Sequence, residues 1–267
     1  MTPRGKLDQT LWRCGVAIAV SLCVLVPLSF GIAPFSPREY RQPEEVVLFH
    51  RLGKALPMAA AAHLALDDWF EGRSVLRHRA VRAAAYTVPL LVVSIAFALV
   101  IRALLTSPDA ITGETTDLLF RLSVALALIG LLAYPIFTND FWLSVVWGRM
   151  IALGQNPWYQ PLSEDALRGL PMRDWGVRMT YGPLWGWISA GTSWLGGASA
   201  GAVFLLGKGV LAGAWIFTLG LIRRIAREQF SESDAAVAVC LFGWIPMSVG
   251  YSVREGHNDI FMVAGLT

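Results

Sequence analysis

Five apolar runs, each about as long as a bilayer-crossing helix, constrain this chain more than any other feature. They fall at Cys14–Ala33, Ala83–Leu105, Leu118–Phe137, Ala200–Ile222 and Ala235–Tyr251, and a sixth opens at Ile260 and is cut short at Thr267. A helix needs ~20 residues to cross the hydrocarbon core, where every backbone polar group must find its partner within the chain. Composition agrees: 55% of residues are hydrophobic and 15% charged, against roughly 25% charged in a soluble domain. The fold expected is all-α, a polytopic transmembrane helix bundle with interfacial juxtamembrane helices. Residues 1–267 read as one membrane domain, and the interrupted sixth run reads as the start of further spans.

The formal charge of +3 is not gathered on one surface, so nucleic acid is excluded as a partner and the lipid bilayer is the expected one. Cys14, Cys23 and Cys240 lie within apolar runs without metal or redox spacing, and they read as small packing hydrophobes. The first run follows Arg4, Lys6 and Arg13. It is longer than a signal-peptide core and ends in a poor cleavage context, so it reads as an uncleaved span.

Sidedness follows from the basic residues. Arg223, Arg224 and Arg227 directly follow the run ending at Ile222, which marks that end as cytoplasmic. Counting spans from there places the N-terminus in the cytoplasm and the loop 139–199 outside, provided Pro183–Gly197 lies along the membrane surface. That segment carries Trp185, Trp187 and Trp194, and tryptophan favours the interface. Glu44–Phe70, with its charged and histidine residues, reads as an interfacial helix as well. Two loops run against the scheme: Thr106–Asp117 has no Lys or Arg, and 35–80 has many.

Three polar clusters interrupt the apolar pattern, and by this count all face outward. One begins at Asn139-Asp140 and continues through Trp147-Gly148-Arg149 to Gly154-Gln155-Asn156-Pro157. The second is Thr180-Tyr181-Gly182-Pro183-Leu184-Trp185, and the third is Arg254-Glu255-Gly256-His257-Asn258-Asp259. Each has a plain structural reading: helix caps at Asp140 and at Asn258 or Asp259, and a proline in the first helical position at Pro183.

In order and spacing, the three clusters resemble those of bacterial polyprenol-phosphate-mannose-dependent mannosyltransferases of the GT-C fold. The resemblance covers 118–267, with 1–117 unmatched. It implies inverting transfer of a hexose, mannose or a relative, from a polyprenyl-phosphate sugar donor to a glycan acceptor hydroxyl, at the extracytoplasmic face of a bacterial plasma membrane. In such enzymes an acidic residue opening the first outer loop is the base, which here is Asp140.

That assignment is chemically sound, because a hydroxyl becomes a competent nucleophile when a positioned carboxylate takes its proton. The departing lipid phosphate needs donors or cations for its growing charge. Arg149, Lys208, Arg254 and His257 are candidates for that role. Lys208 lies about two turns into an apolar run, where a charge marks a functional site or snorkels to the interface. Glu255, Asn258 and Asp259 are candidates for binding sugar or acceptor hydroxyls, or a divalent cation in the case of the carboxylates; no other cofactor is expected. Tyr181 and Trp185 are candidates for stacking on a sugar, contacting the prenyl chain or anchoring at the interface. A transporter or channel component would also explain an intramembrane lysine, although no inverted repeat is visible. A non-catalytic scaffold is the third reading.

Overall fold

The computed structural model describes residues 3–31, 75–133, 140–168, 170, 176–245, 248, 252–253, 256 and 258–266. Among them the chain is helical throughout, with no strands. The α-helices are α1 (Pro3–Gly31), α2 (Val75–Thr106), α3 (Gly113–Leu131), α4 (Asp140–Ala152), α5 (Glu164–Leu167), α6 (Pro183–Gly196), α7 (Ala200–Gln229), α8 (Glu232–Trp244) and α9 (Asp259–Leu266), with a short 3-10 turn at Pro108–Ala110.

Three of these are long and apolar enough to cross a membrane: Arg4–Leu25, Thr87–Thr106 and Ala200–Gln229. The first helix starts at Pro3, well before the apolar run at Cys14, because its first turns bury Leu7 and Leu11 against the bundle. The run expected at Leu118–Phe137 is helical from Gly113 through Leu131, and its residues from 134 on lie outside the described ones. The run expected at Ala235–Tyr251 is interrupted. Its helix ends at Trp244, and Ile245, which precedes Pro246, is extended, as the proline ring demands of its neighbour. The segment Glu44–Phe70 lies outside the described residues.

The long helix α7 organises the bundle. It buries Phe204, Lys208, Leu211, Trp215 and Leu219 along one stripe, and it packs against α3, α6, α8 and α9. The other principal contacts are α1 with α2 and α3, α3 with α8, and α4 with α6. Side-chain caps set several starts. Ser199 Oγ accepts from the Ala202 amide (3.2 Å) at α7, and Ser231 and Asp234 form a capping box at α8.

One end of the bundle is held by ions. Asp117 pairs with Arg223 and, at 2.8 Å, with Arg227. Arg227 also donates to the Gly113 carbonyl (2.6 Å) and reaches Glu232, while Arg4 pairs with Glu114. These pairs explain the Thr106–Asp117 loop that runs against the basic-loop count. Its Glu114 and Asp117 are counter-ions to arginines contributed by α1 and α7.

Candidate functional site

The opposite end of α7 carries the three polar clusters. From Arg227 back to Lys208 is 19 residues on one helix, roughly 28 Å of rise, which is close to a bilayer core thickness. At the Lys208 level the chain brings Phe141, Val253 and Gly256 together.

Asp140 is the first residue of α4 and Asp259 the first of α9. Each carboxylate therefore stands where a helix N-terminus favours negative charge. Tyr181 lies within electrostatic reach of both. Burial pushes its phenol above the usual tyrosine value, and the Asp140 and Asp259 charges push it further. Residues from all three clusters are thus neighbours.

The local folding that does this is carried by the motif residues themselves. The Trp158 indole N–H donates to the Tyr181 carbonyl (2.8 Å), and the Trp147 ring meets Tyr181 edge-on, 5.8 Å between centroids. The Trp185 indole N–H donates to Ser144 Oγ (2.9 Å), and its ring lies 5.2 Å from that of Phe261 on α9. Trp185 is buried; it joins α4, α6 and α9 and lines the cleft beside Phe141. Pro183 takes the first helical position after Gly182, as the sequence suggests.

Close backbone approach accounts for the glycines. A Cβ at Gly148 would overlap the Ser189 carbonyl where α4 crosses α6, and would lie 2.9 Å from the Ala190 amide nitrogen. Gly256 has φ +80°, and a Cβ there would lie 2.8 Å from the Phe141 ring. A Cβ at Gly207 would lie 3.0 Å from the far end of the same ring. These contacts were not evident from the motifs read singly, although glycines within polar strings are the signal that would have pointed to them.

Two of the expected phosphate ligands are engaged by backbone. Arg149, nine residues beyond Asp140 on α4, donates to the carbonyls of Arg168 (2.7 Å), Ala166 (3.4 Å) and Gly197 (3.4 Å). Burial lowers its pKa from the ordinary arginine value. Lys208 is fully buried rather than snorkelling, and its ammonium donates to the Val253 carbonyl. Asn258 is half-buried beside exposed Asp259, while Arg254, Glu255 and His257 lie outside the described residues. Among the described residues no three His, Cys, Asp or Glu side chains stand together as a metal site. A small, largely apolar cleft opens beside Phe141, between α4, α6 and α7.

Against known families, residues 52–267 match the model of the MptA/B family, described as alpha-(1->6)-mannopyranosyltransferase, N-terminal domain. The chain belongs to that family. This mannosyltransferase-family membership makes it a membrane-bound glycosyltransferase domain, and it extends the likeness from Leu118 back to residue 52. No curated protein and no solved structure matches the chain. The ion-paired arginines, the glycine contacts and the acidic cluster described above all fall within the matched residues, Arg4 excepted.

Proposed function

We propose that this mannosyltransferase domain is of GT-C type and moves mannose, with inversion, from a polyprenyl-phosphate donor to a glycan hydroxyl on the extracytoplasmic face. The observation that carries the reading is the packing of the three polar clusters on one another, Trp147 on Tyr181 and Phe141 against Gly256, at the end of α7 remote from Arg223 and Arg227. If the arginine-rich end faces the cytoplasm, the acidic end faces outward.

In the proposed step Asp140 takes the proton of the acceptor hydroxyl. The hydroxyl oxygen bonds to the sugar's anomeric carbon as the bond from that carbon to the phosphate oxygen breaks, and the pair of electrons leaves with the lipid phosphate. A phosphate leaving group is weakly basic, so it requires no acid, only donors to receive its charge. Arg254 and His257 are the proposed donors. Asp259, Asn258 and Glu255 hold the sugar and acceptor hydroxyls. An alpha linkage made with inversion requires a beta-linked donor.

Asp140→Asn tests the proposal in the intact protein. Loss of base catalysis is expected to lower transfer from polyprenyl-phosphate mannose by ~10²–10⁴-fold, with insertion and folding unchanged. Transfer at the wild-type rate would remove Asp140 as the base.

A further inference from the structure

Lys208 is fully buried on α7, and its ammonium donates to the carbonyl of Val253. The Phe204 ring lies beneath that ammonium, 5.9 Å from it to the ring centroid. Val253 sits in a π-helical turn just ahead of Gly256, a geometry in which the regular i→i−4 bonding is displaced. Three residues on, the backbone at Gly256 packs against the base of the Phe141 ring, whose far end abuts Gly207. Phe141 follows Asp140 in sequence, and Gly207 precedes Lys208. One aromatic ring is therefore held between α7 and the segment leading to Asp259, and one ammonium ties that segment to α7.

We infer that Lys208 is a positioning residue which, by anchoring Val253 three residues before the Gly256 that packs on Phe141, sets the separation of Asp140 and Asp259. It acts through these two carboxylates rather than by holding the donor phosphate. The inference rests on the transferase reading for its kinetic consequence, and on the backbone contact alone for its structural one. A buried ammonium that donates to a backbone carbonyl suits this role. It fixes the chain at Val253, and the close-packed Gly256 fixes it again three residues before Asp259, which limits where the Asp259 carboxylate can stand. A misplacement of about 1 Å at a reacting group costs on the order of a hundredfold in rate.

The test uses the intact protein, with polyprenyl-phosphate mannose as the donor. Lys208→Met is expected to lower kcat about a hundredfold while the donor KM stays within about twofold of wild type. Gly256→Ala, which disturbs the same segment from its other end, is expected to give the same split. The double variant is expected to be no worse than the poorer single one, since coupled residues do not add. A raised donor KM with kcat preserved would assign Lys208 to the phosphate and overturn the inference. Additive losses would overturn it as well.

If Lys208→Met does not yield folded protein, Lys208→Gln removes the charge but keeps an N–H donor. A preserved donor KM in that variant supports positioning, and a raised one overturns it. Tryptic cleavage after Arg254 reads the anchoring without any transfer assay. It is expected to be faster in Lys208→Met than in wild type, and equal rates would count against the anchor. Absence of transfer by the wild-type protein would overturn the donor reading, while the cleavage rates would still decide the anchor.

Discussion

Phe141 packs against the backbone of Gly256, so close that a β-carbon on Gly256 would stand 2.8 Å from its ring. This contact joins the first polar cluster to the third. It explains why a glycine at φ +80° sits in a segment that otherwise carries charge and hydrogen-bonding groups. Gly256→Ala meets both a steric and a conformational barrier, and a destabilisation of about 1–3 kcal/mol is expected. Heating detergent-solubilised protein and measuring what remains monodisperse would show it; a variant as stable as wild type would mean the contact is looser than described.

Gly148 makes the equivalent approach between α4 and α6. Gly148→Ala forces its methyl into the Ser189 carbonyl, so the helices must separate. The cost expected is again about 1–3 kcal/mol, with a loss of transfer because the shift moves Trp185 off Ser144. Gly154→Ala offers a contrast, because that glycine has φ +74° but no neighbour within 4 Å. It is expected to show backbone strain alone, and so the smaller loss in the same melting assay.

Tyr181 reports on the acidic pair. Its phenol is raised from 10.0 by burial, then by Asp140, then by Asp259. The folded protein thus favours the neutral phenol. The stability this contributes is present below pH 10.0 and is lost as pH rises through the higher folded value. Asp140→Asn removes one opposing charge, so the phenol is expected to titrate lower than in wild type, though still above 10.0, because burial remains. Phenolate absorbance, with Tyr181→Phe subtracted to isolate this residue, measures the change; an unmoved titration would place Asp140 out of reach of Tyr181.

The helix α6 presents Leu184, Trp187, Trp194 and Leu195 outward, while Trp185, Gly186, Ser189, Ala190 and Ser193 face the bundle. At 14 residues it rises only about 21 Å, too short to cross the hydrocarbon core. Its outer face is expected to lie in the membrane interface. In vesicles containing brominated lipid, tryptophan quenching should fall in Trp187→Phe and Trp194→Phe relative to wild type. Unchanged quenching in both would take this face out of the bilayer.

Much of the fold is legible in residue order because lipid leaves a helix few alternatives. Apolar length marks α1, α2 and α7, since an apolar segment that long has to satisfy its backbone internally. Boundaries were less legible. Pro246 cut short a run whose hydropathy continues to Tyr251, and the early turns of α1 are helical because tertiary packing buries Leu7 and Leu11. Asp140, Tyr181 and Asp259 could be named from their motifs. The backbone carbonyls that Arg149 and Lys208 bind were not legible, because those partners lie 17 to 48 residues away in the chain.

The sequence by itself determined the membrane environment, the helical class and the three polar clusters, because hydropathy and motif order are properties of the chain in one dimension. Only the tertiary structure decided that the clusters pack on one another, that Phe141 is clasped by Gly207 and Gly256, and that Lys208 holds the Val253 carbonyl. Those are contacts between residues 45 to 115 positions apart, and their distance is set by how α4, α7 and the segment before α9 cross, which no local pattern encodes.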